Sequence, residues 1–208
     1  MIQRVYEQVA PCTRLTKYIV ATDDTRIADH VRSFGGEVLL TSADHKNGTE
    51  RCAEALGALG EKYDAVINIQ GDEPFINPAQ IDALAELMAS KDCEIGTLIK
   101  VCDDKTLLEK ASIIKVVVNS KMQALYFSRA VIPYLRSHTS PHTFYKHIGI
   151  YGFKTEVLKR LVQLPPSSLE LAESLEQLRW LENGYSIQTA VTPYESMSID
   201  TAEDLERV

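Results

Sequence analysis

The sequence predicts an α/β protein, a mixed and mostly parallel sheet with helices on both faces. Three observations carry this. Short β-branched runs alternate with helix-period stretches through the first hundred residues. Cap and turn residues mark almost every junction between them. The apolar run "AVINIQGDEPFINP", Ala65–Pro78, breaks abruptly into Gly71, Asp72, Glu73 and Pro74. A buried strand ending in two acids suits the carboxyl edge of an open sheet, where such folds bind ligands. A plain surface turn uses the same residue types.

Taken in order, "MIQRVYEQV" sets Ile2, Val5, Tyr6 and Val9 at helical spacing, and "YIVATDD" reads as a strand. "TRIADHVRSFGG" places Ile27, Val31 and Phe34 on one helical stripe stopped by Gly35 and Gly36. "EVLLTS" is a strand, "TERCAEALGALG" a helix, "AVINIQ" a strand. "PAQIDALAELMAS" is helical with Pro78 in its first turn, and "EIGTLIKV" is a strand. From Ile113 the pattern changes. "IIKVVVNSKMQALYFSRA" reads as a hairpin turning at Asn119–Lys121, followed by the polar loop "SHTSPHTFYK" and the strand "HIGIYGF". "TEVLKRLVQL" and "SSLELAESLEQLRWLENG" are helices, "SIQTAV" is a strand, and a last helix starts at Asp200. One domain over 1–208 accommodates these elements, with residues 113–153 an elaboration of the sheet rather than a separate unit.

Composition narrows the function. A formal charge of -7 and a pI near 5.3 argue against nucleic acid as the main partner, since a phosphate backbone calls for a basic stripe. No apolar run approaches a membrane span, and the first residues lack the apolar region of a signal peptide. Cys12, Cys52, Cys93 and Cys102 form no C-x-x-C pair and read as reduced thiols of a cytoplasmic protein.

Several constellations carry chemistry, each beside a plainer reading. Asn47–Gly48 is a turn, Thr49 a cap for the helix that follows, and the N–H groups there attract anions or base acceptors. Asp200 and Glu203 have capping-box spacing, and the second oxygen of such a cap can face a cation. If "SMSI" lies beside the strand before Gly71, Asp72 and Asp200 converge, which suits Mg²⁺ shared with substrate phosphates. In "SSLELAESLEQLRWLENG", Ser167 and Glu170 form a capping box, and Leu171, Leu175 and Leu178 a core stripe. Glu173 and Gln177 share a different face, either solvated or set to grip substrate hydroxyls. Arg129 follows a strand, where its fork suits a carboxylate. His138, His142 and His147 lack an obvious fourth ligand for zinc.

Together "ADHKNGTER", "NIQGDEPF", "YFSRAVIPY", "YKHIGIYGF", "LELAESLEQLRWLENG" and "SIDTAEDLERV" resemble the 3-deoxy-manno-octulosonate cytidylyltransferases, or CMP-Kdo synthetases, along nearly the whole chain. The resemblance implies a three-layer α/β/α fold of the nucleotide-diphospho-sugar transferase type, Rossmann-like, in a cytoplasmic homodimer. It implies CTP and Kdo as substrates, CMP-Kdo and pyrophosphate as products, Mg²⁺ as cofactor, and a place in lipopolysaccharide biosynthesis. It assigns Asp72 and Asp200 to the metal, and Gly48, Thr49, Arg51 and Gln70 to the nucleotide. Arg129, His147, Tyr151, Glu176 and Gln177 go to the sugar acid, so Glu176 replaces Glu173 as the partner of Gln177. The competing expectations are transfer to another acidic sugar such as a sialic acid, or a non-catalytic binding protein of this fold. Family members open with a strand and an "IPARxxSxRxPGKPL" loop that cradles the triphosphate, whereas this sequence opens at "MIQRVYEQV". The resemblance therefore implies a folded chain of low turnover.

Overall fold

The structure is a computed structural model that describes residues 1–137, 142–195 and 198–199. The first half alternates α1 (Ile2–Val9), β1 (Val20–Thr22), α2 (Thr25–Ser33), β2 (Val38–Leu40), α3 (Gly48–Leu59), β3 (Ala65–Asn68), α4 (Pro78–Ala89) and β4 (Ile95–Val101). The second half holds α5 (Lys105–Leu108), β5 (Lys115–Val118), β6 (Ala124–Ser128), β7 (Tyr145–Lys154), α6 (Thr155–Leu161), α7 (Ser168–Glu173), α8 (Gln177–Glu182) and β8 (Ile187–Val191). The expected last helix from Asp200 lies outside the described residues.

β1 and β2 pair in parallel as a two-stranded sheet. The other six strands form a mixed sheet in the order β6-β5-β7-β4-β8, with β3 also paired to β7. β3, β4 and β5 all run antiparallel to β7, β6 runs antiparallel to β5, and β8 runs parallel to β4. Four of these strands therefore share one direction, as βα alternation dictates. Most neighbouring pairs are nevertheless antiparallel, because β7 is inserted between β3 and β4.

Helices cover both faces. One face packs Ile81, Leu84 and Met88 of α4 and Val9 of α1 on Leu98, Ile148 and Ile150. The other packs Leu56 of α3, Leu158 and Leu161 of α6 and Leu178 and Trp180 of α8 on Ile95, Phe127 and Phe153. A register shift between Thr97 and Leu98 interrupts the β4–β7 ladder. Alternation along β7 survives the shift, with Ile148 and Ile150 pointing to one layer and Tyr151 and Phe153 to the other. Gly96 and Gly152 are cross-strand partners under α4. A Cβ on Gly152 would lie 2.5 Å from Met88 Cγ, and one on Gly96 3.0 Å from Met88 Sδ, so the thioether fills a notch the two glycines leave open.

Three local expectations are corrected. The cap of α3 is Asn47, whose side chain accepts from the Glu50 N–H, while Thr49 sits buried in the first turn. On α2 the buried positions are Ala28 and Val31, and Ile27 is exposed. The helix expected over Ser167–Gly184 is broken, because Ser174 adopts the left-handed region at φ 51. The break turns Leu175 and Leu178 into the core and leaves Leu171 outside at 70% exposure. The boundary signals stand: Ser167 N–H donates to Glu170 Oε2 at 3.1 Å, and Gly184 takes φ 81 after α8.

Candidate active site

The apolar run of β3 ends at Asn68, and the chain turns at once. The Glu73 N–H donates to the Gln70 carbonyl at 3.3 Å, and the Ile199 N–H donates to the Asp72 carbonyl at 2.8 Å. Two segments far apart in sequence thus meet at the end of β3. Asp200 itself lies outside the described residues.

The start of α3 faces the same strand end. A Cβ on Gly48 would stand 2.8 Å from Asn68 Nδ2, so only glycine lets the helix start come this near the strand. Arg51 Nη1 donates to Thr41 Oγ1 at 2.6 Å and to the Ser42 carbonyl at 3.3 Å, and Nη2 lies 3.4 Å from Asp23 Oδ2. It fastens α3 to the ends of β1 and β2. A cleft of about 690 Å³ opens here; Asn47, Gly48, Arg51, Asn68 and Gln70 line its polar part, and apolar side chains such as Val5, Leu56 and Ile67 line much of the rest. Its size is that of a small-molecule site.

A second cluster lies across the sheet. Tyr151 is the register partner of Asn68 on β3 and of Thr97 on β4, and Thr97 is the partner of Thr189 on β8. Directly opposed residues share a face, so this is one polar row across four strands. All four are buried. Thr97 Oγ1 and His147 Nε2 are 2.9 Å apart, and the His147 ring packs edge-on to Phe127 and beside Tyr151. Burial drops His147 to about 3, so the ring is neutral at physiological pH. The Tyr151 hydroxyl is buried with no hydrogen-bond partner among the described residues, and burial holds its proton on well above the usual phenol range. An unpartnered buried hydroxyl is expensive, and a ligand atom would satisfy it.

Thr49 joins the two clusters. Its hydroxyl donates to Glu176 Oε2 at 2.9 Å, linking the first turn of α3 to the start of α8. Burial pushes the Glu176 carboxyl up to about 7, although the Thr49 hydroxyl and the Arg179 charge act the other way. Gln177, next in the chain, is buried. Gly48, Thr49, Arg51, Gln70 and Asp72 are therefore arranged around the end of β3, and His147, Tyr151, Glu176 and Gln177 lie behind Thr49.

Arg129 is bonded to the backbone of three residues. Its Nε donates to the Glu173 carbonyl at 2.7 Å, Nη1 to the Ala111 carbonyl at 2.9 Å, and Nη2 to the Ser174 carbonyl at 3.3 Å. The guanidinium that the sequence offers to a substrate carboxylate is engaged with backbone. Sequence reasoning missed Asn68 and Thr97. Their signal is a polar residue inside an apolar strand, "AVIN" and "EIGTLI", which only strand register turns into a row.

No group of three or more His, Cys, Asp or Glu gathers among the described residues. A Mg²⁺ that shares its coordination with phosphates and water takes only one or two carboxylates. The hard oxygen donors of Asp72, with the chain entering Asp200 bonded beside it, fit that requirement.

A family model described as cytidylyltransferase matches residues 1–189. The 3-deoxy-manno-octulosonate cytidylyltransferase of Cytophaga hutchinsonii is 52% identical over all of this chain and 85% of its own length. That of Bacteroides thetaiotaomicron is 51% identical over 99% of this chain and 84% of its own. A CMP:2-keto-3-deoxy-manno-octonic acid synthetase solved with CTP superposes with a TM-score of 0.92, at 38% identity over 99% of this chain and 84% of that one. A glucose-1-phosphate thymidylyltransferase from Bacillus anthracis, 16% identical with a TM-score of 0.64 over 99% of this chain and 79% of that one, shares the fold alone.

Proposed function

The chain belongs to the 3-deoxy-manno-octulosonate cytidylyltransferase family, and from that premise we propose that it makes CMP-Kdo and pyrophosphate from CTP and Kdo. The observation that best supports this reading in the fold is the Thr49–Glu176 hydrogen bond, which ties the helix start beside the cleft to the buried polar cluster. In the reaction the anomeric hydroxyl of Kdo attacks the α-phosphorus of CTP. A P–O bond forms to the sugar oxygen, the bond to the β-phosphate oxygen breaks, and the hydroxyl proton is lost.

In this reading the start of α3 and Gln70 receive the cytidine, with Gly48 allowing the close approach to Asn68. Arg51 works indirectly by holding α3 to β1 and β2. His147, Tyr151, Glu176 and Gln177 receive the sugar acid, and the unpartnered Tyr151 hydroxyl is suited to a sugar hydroxyl. A neutral His147 donates or accepts a hydrogen bond without adding charge. A protonated Glu176 does not repel the substrate carboxylate. Asp72 and Asp200 would hold Mg²⁺, which when bound neutralises phosphate charge and orients the reacting oxygens. Juxtaposition and charge stabilisation then supply most of the rate.

The same reading places the protein in the cytoplasm, in lipopolysaccharide biosynthesis, as a homodimer. No helix among the described residues is long and apolar enough to cross a membrane. Leu125, Val131 and Tyr134 are 59%, 43% and 87% exposed along and after β6, which supports a covered face there. Light scattering behind a sizing column measures the dimer directly. Pyrophosphate release with Mg²⁺, CTP and Kdo tests the activity. Release with a sialic acid in place of Kdo, and none with Kdo, would assign the other acidic-sugar reaction. CTP binding with no release under any sugar would leave a non-catalytic binding protein.

A further inference from the structure

Glu173 is the residue that substrate assignment leaves over, yet both oxygens of its carboxylate are held. Ser128 Oγ donates to its Oε1 at 2.6 Å, and the Arg129 N–H donates to its Oε2 at 2.9 Å. Its own carbonyl accepts from Arg129 Nε at 2.7 Å, and the next carbonyl, of Ser174, accepts from Arg129 Nη2 at 3.3 Å. Lys115, fully buried beneath, donates its ammonium protons to the carbonyls of Lys110, Ile113 and Arg129. The end of β6 thus holds the side chain and the backbone of Glu173 at once.

What it holds is a turn the local sequence does not favour. Residues 167–184 carry the apolar spacing and caps of one continuous helix. At Ser174 the backbone instead takes φ 51, a region that costs a residue with a side chain. Three residues later α8 begins, with Glu176 directed at Thr49 and Gln177 buried. In a helix continued through Ser174, each following residue would follow the 3.6-residue repeat and Glu176 would leave Thr49.

We propose that Glu173 is a positioning residue for the sugar side of the site: anchored on Ser128 and Arg129, it fixes the Ser174 turn that aims Glu176 and Gln177. Arg129 acts in the same device by binding the carbonyls of the turn. Charge agrees with the geometry. Burial alone would raise the Glu173 carboxyl, but the bonds from Ser128 and the Arg129 amide, with the charges of Arg129 and Lys115, hold it below the usual range and ionised. The inference rests on the reading of Glu176 and Gln177 as the Kdo side.

The test compares Glu173→Gln, Glu173→Ala and Ser128→Ala in the full chain. The primary readout is amide hydrogen exchange across residues 173–178, which needs no turnover. Exchange there should quicken, most in Glu173→Ala, while α3 and β3 stay protected. In steady-state kinetics the KM for Kdo should rise ~10-fold in Glu173→Gln, the scale of one lost charge-assisted hydrogen bond. CTP affinity by titration should stay within about twofold. Exchange and Kdo KM both unchanged in Glu173→Ala would overturn the proposal. So would CTP affinity falling in step with Kdo, which marks general loosening. Should Glu173→Ala fail to fold, Ser128→Ala removes one anchor and decides the question by the same two measurements. Wild-type protein that releases no pyrophosphate from CTP and Kdo would refute the assigned reaction, and the exchange result would still judge the turn.

Discussion

The two sides of the site are built from opposite materials. The cleft side is mostly backbone and small residues: a helix start, a glycine that lets it approach Asn68, and a turn tied by main-chain bonds at Gln70 and Asp72. The far side is made of long side chains buried in the sheet and held in place by other side chains, as Thr97 holds His147 and Glu170 holds Arg179. Main-chain geometry tolerates change at exposed positions but fails when a single atom is added. A side-chain network degrades one bond at a time and responds to pH. The two sides therefore differ in how they break.

The largest expected effect is on the cleft side, at Asp72. Asp72→Asn keeps the turn and removes one charge, and turnover should fall ~100-fold or more at limiting Mg²⁺. Its melting temperature should match wild type. Near-normal turnover in that assay would remove Asp72 from the reaction.

Gly48→Ala breaks the cleft side by a single methyl. With Asn68 Nδ2 only 2.8 Å from the new Cβ, either the Asn68 side chain or the helix start must shift. The expected cost is about 1–3 kcal/mol in stability, with a rise in KM for CTP larger than that for Kdo. Urea unfolding and the two KM values check it. Equal rises would mean the two sides are not separable.

Glu176→Gln probes the pH response of the far side. The native carboxyl titrates near 7 against an ordinary 4.5, so the folded state binds the proton more tightly than the unfolded chain. That contribution is fully present below about pH 4.5 and is lost as pH rises through about 7, up to about 3 kcal/mol in all. Glutamine cannot ionise, so the variant should lose less stability between pH 5 and pH 8 than wild type. In wild type the KM for Kdo should climb above pH 7, as Glu176 gains a charge facing the substrate carboxylate. Parallel pH profiles for the two proteins would count against this assignment.

The smallest effect sharpens the boundary of the network. Leu171 lies outside the core at 70% exposure. Leu171→Ala should change stability by less than about 0.5 kcal/mol, and a chemical melt resolves it from the multi-kcal/mol loss expected of a core leucine.

Most of the element order was readable from periodicity and punctuation, although the four-residue α5 (Lys105–Leu108) is too short to carry such a signal. The capping box of α4 at Asn77 and Gln80 is one instance of punctuation, and the hairpin turn closed by Asn119 Oδ1 on the N–H groups of Lys121 and Gln123 is another. The break at Ser174 was not readable, because β6, forty-five residues upstream of the turn by the Ser128–Glu173 bond, holds it. Thr49 reads locally as a cap, but that place is taken by Asn47. That Thr49 serves Glu176 is a fact of tertiary structure. The residues assigned to substrates came from the family's motifs. The row through Asn68, Tyr151 and Thr97 needed strand register, which no local pattern supplies.

The notch beneath α4 has a consequence for how this chain can vary. Gly96, Gly152 and Met88 occupy one volume between them. A side chain gained at Gly152 needs position 88 to shrink, whereas one at Gly96 also presses on Leu84 and Leu87. The three positions should drift through sequence space together rather than singly. Gly152→Ala with Met88→Ala should be less harmful than the sum of the two changes, a compensation that a double-mutant cycle reads directly.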